Sequence, residues 1–177
     1  CFALDEPQVE VLNHITGEPM PEIRNQMTEA ARIARGNIQS LRKARAEDFD
    51  GLVLPGGSGA FNNLRQSPGG VNPYLSQLLT DMADQGKPIA AICIAPMLVA
   101  RVLGSRGIQV TIGTSAEDAK NIEATGARHV ECPVDRCVVD KEHKIVSTPA
   151  YMLGPGIADV AAGIESCIKA LLQLCRR

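Results

Sequence analysis

Tryptophan is missing from the sequence, and aromatics are few: three Phe and two Tyr among 177 residues. Five rings offer few platforms for stacking bases. With 18 Lys+Arg against 20 Asp+Glu, the composition excludes a strongly basic nucleic-acid binder. Long apolar runs are also missing. The longest, Pro88 to Ala100, is broken by its prolines and is too short to span a bilayer, so no membrane role is expected. No charged-then-apolar leader opens the chain, and no secretory signal is visible. Nor is there an initiator Met: Cys1-Phe2-Ala3 reads as the tail of a strand, and the natural N-terminus is expected upstream.

The cysteines are Cys1, Cys93, Cys132, Cys137, Cys167 and Cys175, and they form no CxxC pair and no zinc-type spacing. A disulfide framework is not expected where a domain is large enough to bury its own core. Reduced thiols point to the cytoplasm, or to the mitochondrion or plastid of a eukaryotic cell.

What is present is 45% hydrophobic and 21% charged, which suits one globular domain. Periodicity gives alternating elements. Strands are expected at 9–12, 50–54, 89–93, 108–112, 128–132, 136–139 and 144–147, with a hairpin-like turn at 140–143. Helices are expected at 21–35, 73–85, 96–103, 116–124 and 157–174. In the first of these, Ile23, Met27, Ala30, Ala31 and Ile33 fall near one face, with Gly36 at the C-cap. Alternation of this kind implies an α/β fold with a mostly parallel sheet covered on both faces.

The sharpest chemical feature is Ala91-Ile92-Cys93-Ile94-Ala95-Pro96, where a strand gives way to a helix within two residues. Such an elbow strains the central residue and projects its side chain from the sheet edge. It needs small neighbours two positions either side, which Ala91 and Ala95 supply. A helix N-terminus favours thiolate over thiol. The competing reading is a buried structural cysteine. Spacing does not choose between them.

The second feature is Leu52-Val53-Leu54-Pro55-Gly56-Gly57-Ser58-Gly59. A glycine turn after a strand exposes N–H groups that can form an oxyanion hole or cradle a phosphate. The spacing matches neither a Walker loop nor GxGxxG. Both features fall beyond the carboxyl ends of strands, where open α/β sheets bind ligands. Of the histidines, His129 begins a strand and could approach Cys93 as a base. His143 lies in a charged turn and is expected in solvent; His14 follows an early strand. For each one a surface or structural role is the simpler reading, and His129 is the best candidate. Glu123, Asp135 and Asp140 suit a solvated rim, Glu29 suits a structural role, and Met97 and Met152 suit the core.

The chain resembles the ElbB-type glyoxalases and their mitochondrial amidotransferase-like relatives, in the PfpI-like branch of the class I glutamine amidotransferase fold. The segments that carry the likeness are Val11-Leu12-Asn13-His14-Ile15-Thr16-Gly17-Glu18, Glu29–Gly36, Pro55–Ala60, Gly86-Lys87-Pro88, Cys93–Pro96, Thr111–Thr114 and Thr148-Pro149-Ala150-Tyr151-Met152. They cover essentially the whole chain. The resemblance implies a flavodoxin-like sandwich with Cys93 as nucleophile. The turn at Gly56 and Gly57, with the Ile94 amide, would form the oxyanion site, and His129 would occupy the pocket histidine position. It implies cofactor-free conversion of glyoxal to glycolate or methylglyoxal to lactate, a homodimer, a small aldehyde as substrate, and an association with isoprenoid biosynthesis.

The superfamily places a glutamate on its first helix. Here that helix, with the first strand, is expected ahead of Cys1. Ser58 stands where close relatives are expected to have an aromatic residue, and the loop Ser67–Tyr74 reads as shortened. Three other readings keep the same thiol. Glutamine hydrolysis is disfavoured by Ala95 in place of glycine and by the lack of a His-x-Glu pair in the last third. A PfpI-type peptidase or deglycase would use the same Cys–His pair. A redox-sensing or chaperone-like stress protein would oxidise Cys93 instead of turning it over.

Overall fold

The computed structural model describes residues 1–66, 68–154 and 156–175. Ser67, where the shortened loop is expected to begin, lies outside them. The chain divides into two compact units, Cys1–Arg45 and Ala46–Arg177.

In the first unit, β1 (Phe2–Ala3) pairs in parallel with β2 (Gln39–Ser40), and α1 (Gln26–Ala34) lies between them in sequence. Asn25 sets the helix start: its side-chain oxygen accepts the Thr28 N–H at 2.9 Å, satisfying an otherwise orphaned donor. The helix therefore begins after Ile23, not at Pro21 as periodicity suggests. Ile23 and Ile33 are 86% and 89% exposed, so neither belongs to a buried face. Residues 9–12 form no strand. Leu12 makes only an isolated bridge to Pro19, closing the polar loop around Gly17.

The second unit carries the sheet. In chain order it contains β3 (Leu52–Leu54), α2 (Ser58–Leu64), β4 (Arg65–Gln66), β5 (Gly70–Val71) and α3 (Pro73–Asp84). Next come β6 (Ile89–Ile92), α4 (Ala95–Leu103), β7 (Gln109–Val110), α5 (Ala116–Glu123) and β8 (Arg128–His129). It closes with β9 (Val138–Asp140), β10 (Ile145–Thr148) and α6 (Ile157–Cys175). The main sheet has the order β3-β6-β10-β9, parallel except for β9, which joins β10 through the expected 140–143 turn.

Every residue of β6 and β10 is buried, the mark of central strands covered on both faces. Alternation assigns the faces. Ala90, Ile92 and Val146 pack with Val160, Cys167 and Leu171 of α6. Ile89, Ala91 and Ile145 point the other way, toward the side where α3 and α4 meet the sheet. In α3, Asn72 caps the N-terminus, Pro73 takes the first turn, and Leu75, Leu78, Leu79 and Met82 are all buried at helical spacing. Each such side chain contributes about 1.5–3 kcal/mol of burial. Ser115 caps α5, its hydroxyl accepting the Asp118 N–H. Among the described residues, no helix is long and apolar enough to cross a membrane.

Candidate functional site

The parallel strands end together. Leu54 is in register with Ala91, and Ile92 with Thr148, so the turns that follow β3, β6 and β10 gather at one edge of the sheet. There β6 runs into α4, whose N-cap is Ile94. Cys93 sits at the junction with φ of 62°, a left-handed conformation that costs a non-glycine residue roughly 1–3 kcal/mol. Its N–H donates to the Thr148 carbonyl at 2.9 Å, tying the strained residue to the neighbouring strand. Ala91 and Ala95 are buried on either side. The elbow expected from their small size is present, and the thiol is half-buried at the sheet edge.

Gly56 is fitted against this turn. A Cβ there would run into the Ile92 carbonyl oxygen and stand 3.0 Å from Cys93 Cβ, and its φ of +85° already favours glycine. Gly57, at φ +91°, caps α2 and has open space around it. Helix N-caps keep N–H groups without intrahelical acceptors, so Gly57 and Ile94 each bring a donor to the edge that holds Cys93. Thus the Gly56–Gly57 turn, Cys93 and Ile94 lie at one edge. A thiol there could attack an electrophilic carbon while nearby amides stabilise the oxyanion.

Three of the other thiols lie where burial disfavours the thiolate. Burial pushes Cys167 up to about 12 and Cys132 up to about 11, so both are protonated at neutral pH. Cys175 is raised as well, first by burial and then by Asp50. Among the described residues, no group of three or more His, Cys, Asp or Glu is placed to hold a metal ion.

His129 stands on β8 beside β7, and its Nε2 accepts the Ile112 N–H at 3.4 Å. The next residue, Gly113, packs close to Leu153 and Pro149, just beyond β10. His129 is therefore tied to the Ile112–Gly113 turn, and among the described residues it makes no hydrogen bond to Cys93. His14 is exposed in the first unit.

Two expectations are corrected. Asp140 is not on a solvated rim but only 2% exposed. Its Oδ2 accepts the Gln109 N–H at 2.7 Å, and its Oδ1 accepts the His143 N–H at 3.1 Å. His143 is correspondingly half-buried, with Nδ1 2.9 Å from Asp140 Oδ2. A charge-rich turn gave no hint of this, because the partner strand that demands the carboxylate lies 31 residues away. Thr148 was quoted only as part of a pattern, yet its carbonyl holds Cys93.

Comparison with known proteins supplies the wider setting. Residues 35–152 match the DJ-1/PfpI family. The chain is 38% identical to human "Glutamine amidotransferase-like class 1 domain-containing protein 3, mitochondrial", over 98% of this chain and 69% of that protein. It is 36% identical to the rat "ES1 protein homolog, mitochondrial", over 98% of this chain and 70% of the relative. A crystal structure from Ehrlichia chaffeensis, described as an isoprenoid biosynthesis protein with an amidotransferase-like domain, superposes with a TM-score of 0.92. It is 32% identical, covering 99% of this chain and 83% of its own. With its class I glutamine amidotransferase-like fold, the chain belongs to the DJ-1/PfpI family.

Proposed function

We propose that this chain is a cofactor-independent glyoxalase of the ElbB type, acting on glyoxal or methylglyoxal. The observation that carries the reading is the strained elbow at Cys93, with φ of 62°, set against Gly56 at the carboxyl edge of parallel strands. The Cys93 thiolate adds to an aldehyde carbon, and the carbonyl oxygen takes a proton to give a hemithioacetal. The Gly57 and Ile94 amides stabilise the oxyanion formed on the way. A base removes the proton from the hemithioacetal carbon, an enediol forms, and reprotonation at the adjacent carbon leaves a thioester. Water then releases glycolate or lactate and restores the thiol. His129 is the candidate base on this chain. The working unit is a homodimer, located in mitochondria if the source is eukaryotic, as the names of the human and rat relatives suggest, and otherwise in the cytoplasm.

The experiment is a glycolate assay on protein incubated with glyoxal, comparing wild type with Cys93→Ala. Loss of turnover in the variant supports the reading; undiminished turnover removes Cys93 from catalysis.

One observation favours a second reading. Cys93 has no imidazole on its sulfur among the described residues, and oxidation by peroxide needs no such base. The family includes stress-response proteins as well as glyoxalases and deglycases. A redox sensor would show sulfinic acid at Cys93 after mild peroxide, with no turnover of glyoxal. Peptide mass spectrometry distinguishes the two, and selective oxidation at Cys132 or Cys137 would count against the sensor.

A further inference from the structure

Two cations meet on one aromatic ring in the second unit. Phe61, half-buried on α2, has Arg101 Cζ 5.3 Å and Arg65 Cζ 5.7 Å from its ring centroid. Arg65 follows the last turn of α2, and Arg101 lies in the last turn of α4. Four other arginines are matched to carboxylates, Arg24 to Glu22, Arg32 to Glu29, Arg42 to Glu6 and Arg106 to Asp84, and Arg45 donates to the Arg42 and Ala44 carbonyls. Among the described residues, Arg65 and Arg101 have no carboxylate partner and no side-chain hydrogen bond. Arg101 is held below its ordinary value first by burial and then by the Arg65 charge, so the two cations work against each other.

The ring's quadrupole attracts a cation over its face but accepts none of the guanidinium donors in the plane of the fork. The negative C-terminal end of α4 favours one cation, which does not account for a second beside it. Two forks, both positive and both without an acceptor, are suited to a ligand carrying two negative charges and several oxygens.

We propose that Arg65 and Arg101, converging on Phe61, form a binding site for a phosphate group. A carboxylate neutralises one of the two charges, whereas a phosphate dianion neutralises both and offers oxygens to each fork. Arg101 lies about 9 Å along α4 from Ala95, and the proposal does not depend on the glyoxalase reading.

Calorimetric titration at low ionic strength tests it, first with inorganic phosphate and then with glycerol phosphate, on wild type, R65Q and R101Q. Saturable phosphate binding is expected, weakened about tenfold or more by either substitution. Tighter binding of glycerol phosphate would identify an organic phosphate as the ligand, and equal or weaker binding would identify free phosphate. No saturable binding of either probe to wild type, or binding unchanged in R65Q, overturns the proposal. R65Q is decisive because Arg65 is exposed and its loss leaves the core intact, whatever R101Q does to folding.

Discussion

The Thr148 carbonyl accepts the Cys93 N–H at 2.9 Å, while the hydroxyl of the same residue donates to the Arg136 carbonyl at 2.8 Å. One buried threonine thus joins the elbow to the segment that crosses α6. That crossing is close: a Cβ on Gly163 would run into the Val134 carbonyl oxygen and come within 3.0 Å of Thr148 Oγ1. The two halves of Thr148 have separable consequences.

Thr148→Val retains the carbonyl and nearly the same shape but leaves the Arg136 carbonyl without its donor. Urea unfolding should show a loss of about 1–3 kcal/mol. The rate at which iodoacetamide modifies Cys93 should stay within a factor of about two, because the elbow is held by main chain. A tenfold change in that rate would mean that the hydroxyl also sets the elbow.

Gly56 and Gly57 look interchangeable in the sequence, and the structure separates them. At Gly57 a methyl group meets nothing within 4 Å, so Gly57→Ala carries only the strain of φ +91°, about 1–3 kcal/mol. At Gly56 the added methyl also collides with the Ile92 carbonyl and Cys93. Gly56→Ala should therefore lower the midpoint of thermal unfolding more than Gly57→Ala, and should alter Cys93 alkylation as well. Equal effects at both sites would contradict the close packing of Gly56 on the elbow.

The thiols should divide by burial. Cys132 and Cys167 are buried and pushed up to about 11 and about 12, so iodoacetamide at neutral pH should leave both unmodified in the folded protein. Cys93 and the exposed Cys1 should be modified, as mass mapping of peptides would show. Modification of Cys167 before unfolding would contradict its place in the core beneath β6 and β10.

How much of this was legible in sequence follows from range. Elements set by local signals were readable: Leu75, Leu78, Leu79 and Met82 announced α3, and the alanines flanking Cys93 announced the elbow. The fold class followed from the alternation of such elements. The early strand at 9–12 was misread because an apolar pair in a loop closed by the Leu12–Pro19 bridge mimics a strand. Ile23 and Ile33 were misread because periodicity does not say whether a neighbour exists to bury a face. α2 was missed altogether, since Ser58-Gly59-Ala60 reads as loop, and with it the meeting of Arg65 and Arg101 on Phe61. The glycine turn was legible as a turn. That Gly56 specifically touches Cys93 depends on β3 and β6 being neighbours, which only the sheet order supplies.

Asp140 gives the acid behaviour a specific origin. Burial alone would raise its carboxyl, but the N–H groups of Gln109 and His143, with the His143 imidazole, together bring it below the ordinary carboxylate value. A carboxyl depressed in the folded state contributes stability above its unfolded value, about 3.9, and loses it as pH falls through the lower folded value. In that window the unfolded chain binds the extra proton, so stability rises with pH there. Asp140→Asn should cost about 1–3 kcal/mol at neutral pH, since the Gln109 and His143 donors lose a charged acceptor. It should also flatten the fall in stability below about pH 4, measured as urea midpoints in an acid series. The exposed pairs Arg32–Glu29 and Lys169–Glu165 remain in both proteins, so the difference between the two curves isolates the buried carboxylate. Parallel curves for wild type and variant would mean that Asp140 keeps an ordinary titration despite its donors, and that the link between β9 and β7 rests on apolar packing instead.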